Sequence, residues 1–302
     1  MMKDIAFTPV TLAEKERYLE LWARTPRRSI DYTLANLWGW AGYYGLEWCF
    51  AHGLCWLRQT HPQQAFWAPV GPWDEVDWAN MPCLRGGASL VRVPEELLRR
   101  LEAAMPERVA GEETRGQWEY LYKTEELATL PGNRFHKKKN HFNAYVKACG
   151  EPDYRPLNPD VMEDVLALQD EWCQWHECEG SPALQAENEA INRVLAHWDD
   201  IPDLVGGSLY ADGHMVAFSV GEKLDGTTLG VHYEKGRNGY RGVYQAMNRC
   251  FAQQAGRGHV LLNRAQDLDE EGLRQAKMGY NPTDFLRKYT VEVAAADTAT
   301  GK

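Results

Sequence analysis

Polar side chains suited to group transfer follow a short apolar segment in the last fifth of the chain. Asn263, Arg264 and Asp267 come after His259-Val-Leu-Leu, which has the composition of a buried strand. Ligands collect at the carboxyl ends of strands in open α/β sheets. Asn263 could orient a carbonyl group, Arg264 could bind a carboxylate or phosphate with its planar fork, and Asp267 could hold an ammonium group or take its proton. The structural alternative is a helix-capping aspartate paired with an arginine.

A glycine-containing loop lies between a predicted strand and a predicted helix that begins near residue 243. The strand, 227–233, is the last of three, after 204–210 and 215–221. Amide groups at a helix N-terminus favour a phosphate or carbonyl oxygen, so we predict that a ligand with such an oxygen binds there. A plain strand–helix turn is the alternative. The predicted ligand-binding residues of this loop, which bind the donor if the fold is that of an acyltransferase, are Arg237, Gly239, Tyr240, Arg241, Gly242 and Val243.

The order of predicted elements in the second half resembles the GNAT acyltransferase fold. In that fold the loop reads R/Q-x-x-G-x-G/A, whereas Tyr240 stands here in place of the first glycine, which argues against ordinary acetyl-CoA binding. The resemblance implies Tyr280 as the general acid that protonates the leaving group, with Lys277 beside it as a donor contact. The alternative for Tyr280 is a core tyrosine with a satisfied hydroxyl.

A basic run lies in the middle of the chain and has no acidic residue from Arg134 to Lys147. The apolar spacing across 135–149 fits one face of a helix. We predict that this run contacts the phosphates of a tRNA arm or of coenzyme A, and a solvated helix face is the alternative. The predicted patch consists of Arg134, Lys137, Lys138, Lys139 and Asn140.

The composition limits the classes of partner. The chain has 302 residues and a net charge of −10, which argues against general polyanion binding. The longest apolar runs are too short to cross a bilayer, and Met1-Met-Lys-Asp lacks a secretory signal. Seven cysteines without a C-x-x-C pair fit free thiols in a reducing cytosol, so we expect a cytoplasmic protein. Cys173, His176 and Cys178 lack a fourth ligand, and we predict no metal.

Three longer stretches resemble one bacterial family. Residues 130–141 (LPGNRFHKKKNH) resemble its G-x-x-x-H-K-K-R-N bridge, residues 263–282 its C-terminal signature, and residues 29–40 its N-terminal S-x-D-Y motif. This family is largely of unknown function. It contains the catalytic C-terminal domain of phosphatidylglycerol lysyltransferase and is similar to the Fem-type transferases of peptidoglycan synthesis. The resemblance implies two tandem GNAT-like domains and an aminoacyl-tRNA donor.

Three positions depart from the family pattern. The resemblance leads us to expect an acidic residue at Ala265, a glycine at Asp269 and a serine at Gly279. If the missing acid is the catalytic base, this member works differently or not at all.

These observations predict an α/β (α+β) protein with two tandem GNAT-like domains. The expected divisions are an N-terminal domain at 1–130, a basic bridging helix and linker at 131–155, a C-terminal domain at 156–293 and a loose tail at 294–302. Each half should hold a cleft where a strand splays from its neighbour beside a helix N-terminus.

The predicted activity is transfer of an activated acyl or aminoacyl group to an amine or hydroxyl acceptor. The donor would be acyl-CoA or aminoacyl-tRNA, with no tightly bound cofactor, and tRNA would contact the basic bridge. The alternatives are an acyl-CoA N-acyltransferase and a catalytically silent binding module, which Ala265 would support. The acceptor and the oligomeric state stay open.

Overall fold

The computed structural model describes residues 5–296 and separates the chain into two compact units. The first unit comprises the residues up to Trp118 and those from Leu286 onwards, and the second is Glu119–Phe285. Each unit is built on a seven-stranded sheet.

The first unit packs its sheet around a tryptophan-rich core that includes the fully buried Trp48, Trp56 and Trp67. Its strands lie in the order β1-β2-β3-β4-β5-β14-β6. The elements are β1 (Thr8–Pro9), α1 (Lys15–Ala23), α2 (Leu34–Tyr44), β2 (Glu47–Ala51), β3 (Leu54–Gln59), β4 (Ala65–Val70), β5 (Ala88–Pro94), α3 (Glu95–Ala104), β6 (Val109–Glu113) and, from the end of the chain, β14 (Lys288–Val293).

The second unit has the sheet order β13-β7-β12-β11-β10-β9-β8. A core of apolar side chains from the sheet, α4, α5 and α8 fills one of its faces. The elements are β7 (Glu119–Lys123), α4 (Thr124–Thr129), α5 (His136–Cys149), β8 (Asp153–Pro156), α6 (Met162–Trp175), α7 (Pro182–Ala196), β9 (Leu204–Ala211), β10 (His214–Lys223), β11 (Thr228–Gly236), α8 (Val243–Gln253), β12 (Leu261–Asn263), α9 (Glu271–Met278) and β13 (Asp284–Leu286).

The two sheets share one plan. In the first sheet β1 to β5 lie side by side in chain order, and in the second sheet β8 to β12 do the same. In each sheet a strand from the other half of the sequence comes next, and one more strand forms the edge. In the first sheet the inserted strand is β14, and in the second it is β7. A buried ion pair from Lys288 in β14 to Asp31 accompanies this pairing in the first unit.

This exchange of strands corrects the predicted domain boundaries. The expected bridge, 131–155, lies inside the second unit as α5 and β8, and residues 119–130 belong to that unit as well. The segment 285–293, which has the composition of a single strand, divides between β13 and β14, which belong to different sheets. Hydrophobic alternation predicts that a segment is a strand, but it does not name the partner strand.

Part of the predicted tail is anchored. Ala294 and Ala296 donate backbone hydrogen bonds to the carbonyl groups of Arg108 and Arg85. The remainder, 297–302, lies outside the described residues, as does the N-terminal segment in which no secretory signal was found.

Three short 3-10 turns, Trp73–Glu75, Trp78–Asn80 and Pro82–Leu84, connect β4 to β5. Pro72 and Pro82 cannot donate the backbone hydrogen bonds that a continuous helix through this connection would need.

The expectation that all cysteines are free is wrong for one pair. After α6 the chain turns back through Glu177, which has a positive φ of 51°, and Cys178 forms a disulfide with Cys173. The other five cysteines are free thiols. No helix within residues 5–296 has the length and apolar character needed to cross a membrane.

Candidate active site

A cleft opens in the second sheet where β11 and β12 part. The two strands pair in parallel only from Thr228 opposite Leu261 to Gly230 opposite Asn263. Beyond this point β11 runs on to Gly236, and a cavity of about 390 Å³ occupies the gap. The strand–loop–helix cleft predicted for the second half is therefore present. We call this space the cleft cavity, and it is lined by Lys138, Val231, Glu234, Tyr244, Gln245, Arg264, Leu273, Ala276, Lys277 and Tyr280.

A β-bulge at His232 decides which side chains of β11 face the cavity. On the neighbouring strand β10, Val220 is opposite Tyr233 and Gly221 is opposite Val231, so His232 is the extra residue. A bulge shifts the alternation of side chains, and as a result Val231 and Glu234 both line the cavity although they are three residues apart. Sequence reasoning missed Glu234 because strict alternation does not place these two residues on one face.

Arg264 and Glu234 form an ion pair that leaves one atom of each side chain without a hydrogen-bond partner. Arg264 Nη2 lies 3.3 Å from Glu234 Oε1, and the side chains are 14% and 13% exposed. Arg264 Nη1 and Glu234 Oε2 are buried and meet no partner among the described residues. Such orphaned charged groups are costly, and a ligand in the cavity could satisfy both of them.

Lys277 reaches the cavity from α9. Its Nζ donates a hydrogen bond to the carbonyl oxygen of Arg264, and the Tyr122 hydroxyl donates to the carbonyl oxygen of Lys277 over 2.8 Å. Burial lowers the pKa of Lys277 to about 7, and the positive charge of Arg264 adds to this effect. A substantial part of this amine is therefore neutral and basic at physiological pH.

Tyr280 lines the same cavity and is 5% exposed. The Arg264 guanidinium carbon lies 4.8 Å from the centre of its ring, and Lys138 Nζ lies 4.0 Å from it. Burial raises the pKa of Tyr280 to about 12, against the opposing charge of Arg264. The hydroxyl therefore carries its proton at neutral pH and can give it to a strongly basic leaving oxygen.

Of the predicted site residues, Asn263 and Asp267 lie outside the cleft cavity that Arg264 and Tyr280 line. Asn263 is buried, donates to Glu119 and accepts from the amide of Ala265 over 3.0 Å. Asp267 is fully buried and accepts from the Tyr120 hydroxyl at 2.5 Å.

Asp267 also accepts from Arg274 and from the backbone amide of Asp269. Arg274 Nε and Nη2 donate to its two carboxylate oxygens at 2.9 and 3.0 Å. The structural alternative, an aspartate paired with an arginine, is therefore what the structure contains. Asp269, at a position where a glycine was expected, adopts a positive φ of 62° and accepts from Arg274 Nη2 over 2.6 Å.

A second recess, of about 670 Å³, adjoins the cleft cavity. Lys138 and Gln245 line both spaces. Lys139 and Asn140 of the predicted patch do not line it, and Arg134 is paired with Glu126 over 2.6 Å. We call this space the basic recess, and it is lined by Asn133, Arg134, His136, Lys137, Lys138, His141, Gln245, Gln275, Gly279 and Asn281.

The predicted donor loop lines a third space, of about 340 Å³. Tyr244, the second residue of α8, lines both this space and the cleft cavity. Gly242 does not line it, because that residue packs on α5. A Cβ on Gly242 would lie 2.0 Å from the carbonyl oxygen of His141. We call this space the aromatic recess, and it is lined by Trp175, His176, Gly236, Arg237, Asn238, Gly239, Tyr240, Arg241, Val243 and Tyr244.

The residues described by the structure contain no cluster of three or more histidine, cysteine, aspartate or glutamate side chains that could hold a metal ion. The polar groups of the cleft cavity are one carboxylate, cationic or basic nitrogens, a carboxamide and two phenols. This set can bind a polar substrate and move protons.

The sheet plan and the cleft define an α/β protein with two tandem GNAT-like units. The family model for the C-terminal part of phosphatidylglycerol lysyltransferase matches residues 22–292. The chain belongs to this family.

Relatives of known structure agree with this assignment. A conserved protein of unknown function from Bacteroides thetaiotaomicron is 29% identical, with a TM-score of 0.85 over 96% of this chain and 99% of that one. The C-terminal domain of a putative lysylphosphatidylglycerol synthetase from Agrobacterium fabrum is 14% identical, with a TM-score of 0.66 over 95% and 93%. FemX is 9% identical, with a TM-score of 0.58 over 96% and 97%. The last two likenesses concern the fold alone.

One curated relative, an uncharacterized protein from Mycoplasmoides gallisepticum, is 26% identical over 175 residues. The match covers 58% of this chain and 56% of that protein, so it spans little more than half the length of the relative.

Proposed function

We propose that this chain transfers an aminoacyl group from the ribose ester of an aminoacyl-tRNA to an amine or hydroxyl acceptor. The observation that carries the proposal is the junction of two spaces at Lys138. On one side lies a recess lined by Arg134, Lys137 and two histidines, and on the other lies a cavity that holds acid–base groups. A phosphate chain suits the first space and an ester suits the second. Membership of the lysyltransferase family supports the same class of donor.

The position of the basic residues on α5 also supports a role in ligand binding. Lys137, Lys138 and Lys139 occupy the first turn of this helix, where the helix dipole disfavours positive charge. A sequence selected only for helix stability would place acidic residues there. A local loss of helix stability of this kind is expected at a functional site.

The aminoacyl group fits the two orphaned atoms of the cleft cavity. Arg264 Nη1 would donate to the ester carbonyl oxygen and stabilise the negative charge that develops on it during attack. Glu234 Oε2 would accept from the α-ammonium group of the amino acid. Both atoms are buried without a partner in the described chain.

Lys277 and Tyr280 would divide the proton transfers between them. Neutral Lys277 would take the proton of the acceptor as its nitrogen or oxygen forms a bond to the carbonyl carbon. When the ester bond breaks, Tyr280 would give its proton to the ribose oxygen that leaves. Return of the proton from Lys277 to Tyr280, directly or through water, completes the cycle. An aminoacyl ester is already activated, so positioning and oxyanion stabilisation supply much of the rate.

An acyl-CoA N-acyltransferase is the second candidate function. Its support is the loop in the aromatic recess, whose backbone could hold a diphosphate. Two features weigh against it. Tyr240 replaces a loop glycine, and the His141 carbonyl oxygen packs against Gly242. A carbonyl oxygen at this position would repel a phosphate oxygen.

A transfer assay distinguishes the candidates. The purified chain is incubated with tRNA charged with a labelled amino-acid mixture, or with acetyl-CoA, in the presence of amines, hydroxyl compounds and anionic lipid vesicles. We expect label to move from tRNA to at least one acceptor, and Lys277→Met to abolish the transfer. Lys139→Met, outside both spaces, is the control. Transfer from acetyl-CoA alone would favour the second candidate, and no transfer from either donor would favour a silent binding module.

A further inference from the structure

Trp175 exposes its indole ring on the wall of the aromatic recess. It is 63% exposed, which makes it the most exposed tryptophan in the described part of the chain. Nothing in the packing of α6 requires an indole at this position, because Trp175 lies at the end of the helix and faces solvent. A large exposed aromatic ring that borders a concave space is typical of a stacking surface for a planar ligand.

Neighbouring groups constrain the segment that carries this ring and add a polar side chain to the recess. His176 stacks on Trp172 with ring centres 3.9 Å apart, and the Cys173–Cys178 disulfide closes the segment that carries Trp175. Arg237 lines the same recess; its Nη2 donates to Glu171, whereas its Nε is buried and has no hydrogen-bond partner among the described residues. The recess thus combines a flat apolar surface with a guanidinium donor.

We infer that the aromatic recess binds the adenine base at the acylated end of the donor, an inference that rests on the proposed function. Three substituents leave the terminal ribose of an aminoacyl-tRNA: the acyl group, the base and the 5′-phosphate. Three spaces meet around the first turn of α8. The acyl group enters the cleft cavity, the phosphate follows the basic recess, and the base stacks on Trp175.

The shared wall of the two spaces favours this donor over acyl-CoA. Tyr244 lines both the aromatic recess and the cleft cavity. In an aminoacyl-tRNA the ester and the adenine are attached to the same ribose, so they can occupy adjacent spaces. In acyl-CoA the pantetheine arm and a diphosphate stand between the thioester and the adenine.

Binding of short oligonucleotides tests the assignment. The probes are the trinucleotide CCA, the same trinucleotide with an abasic terminal ribose, and coenzyme A. We expect Trp175→Ala to weaken CCA binding roughly 5- to 100-fold, because stacking of one base on an aromatic side chain contributes of that order. Trp175→Phe should restore most of the affinity. Val260→Ala, a change at another exposed position of the second unit that is 63% exposed, should have no effect.

The abasic probe separates stacking from phosphate contacts. It should bind the unmodified protein weakly and lose nothing further in Trp175→Ala. An equal loss for CCA and the abasic probe, or no loss for either, would overturn the inference. A loss of affinity in Trp175→Ala that is confined to coenzyme A would assign the recess to acyl-CoA, the other donor that carries adenosine. That result would also overturn the inference.

The outcome is distinguishable from failure of the proposed function. If the protein transfers aminoacyl groups and Trp175→Ala leaves CCA binding unchanged, only the inference fails. If no aminoacyl transfer is detected but binding of CCA depends on Trp175 and on the terminal base, the recess is a nucleotide site and only the transferase proposal fails.

Discussion

Arg264 and Glu234 approach to 3.3 Å in the cleft cavity, yet each retains a buried polar atom that no described residue satisfies. A structural ion pair in a protein interior normally has its remaining hydrogen-bonding capacity filled. Here the unsatisfied atoms are one donor and one acceptor on neighbouring side chains. This combination fits the carbonyl oxygen and α-ammonium group of an aminoacyl ester.

Glu234→Gln tests the acceptor half of that pair. The substitution keeps the shape of the side chain and removes its charge, so binding of a donor with a free α-amino group should weaken roughly 10- to 100-fold. The measurement is the KM of the active aminoacyl-tRNA beside that of its N-acetylated form. The acetylated donor carries no ammonium group and should be insensitive to the change. An equal effect on both forms would contradict the assignment.

Lys277 should impose a pH dependence on the transfer rate. The neutral amine is the reactive form and its pKa is about 7, so the rate should rise as the pH increases through 7 and then level off. A hydroxyl acceptor avoids titration of the acceptor itself. Lys277→Arg keeps a positive charge at all these pH values and should lose about 10²- to 10⁴-fold in rate, together with the rise. An unchanged profile in this variant would exclude Lys277 as the base.

Tyr280→Phe removes one hydroxyl from a buried ring and should leave folding largely intact. If this hydroxyl protonates the leaving ribose oxygen, the rate should fall roughly 10²- to 10⁴-fold while donor affinity changes little. Single-turnover rates and donor Kd values separate the two effects. Tyr43→Phe, at an exposed position of the first unit, is the matched control. A loss of affinity without a loss of rate would make Tyr280 a binding residue.

Lys137 and Lys139 are a matched pair for the basic recess, because they are two residues apart on α5 and only Lys137 lines the space. Lys137→Ala should lower the slope of log affinity against log salt concentration by about 0.7, the value for one contact to a single-stranded phosphate. Lys139→Ala should leave the slope unchanged. Equal slopes in both variants would identify α5 as a solvated face.

Asp267→Asn should act on stability rather than on catalysis. The substitution removes the charge that Arg274 and the Tyr120 hydroxyl contact in a buried site, and the free energy of unfolding should fall by about 1–3 kcal/mol. Denaturant unfolding measures this loss. The transfer rate of the folded variant should stay within a few-fold of the parent rate. A loss of rate as large as that expected for Tyr280→Phe would show instead that Asp267 takes part in catalysis.

The sequence predicted the helices and strands of the second unit better than the contacts by which they form the site. Helical spacing indicated α5, and alternation with glycine signals placed β9, β10 and β11 within a few residues of their observed limits. Arg264 was recognised because it follows a buried strand, and Lys277 and Tyr280 because the order of elements resembles the GNAT fold; all three line the cleft cavity.

Long-range geometry accounts for what the sequence did not predict. The bulge at His232, which turns Glu234 towards the cavity, depends on pairing with β10. The burial of Asp267 depends on Tyr120, which lies far away in the sequence. The disulfide depends on the turn at Glu177. None of these contacts produces a periodic pattern of residue types that a reading of the sequence could detect.

The insertion of β14 between β5 and β6 has a consequence for protein synthesis. A ribosome releases the first unit's other strands long before it reaches Lys288, so the nascent chain carries two unpaired strand edges and an Asp31 without its lysine. Exposed edges of this kind invite aggregation. The first sheet can close only after the whole second unit has emerged. The two units therefore cannot complete their folding in order from the N-terminus.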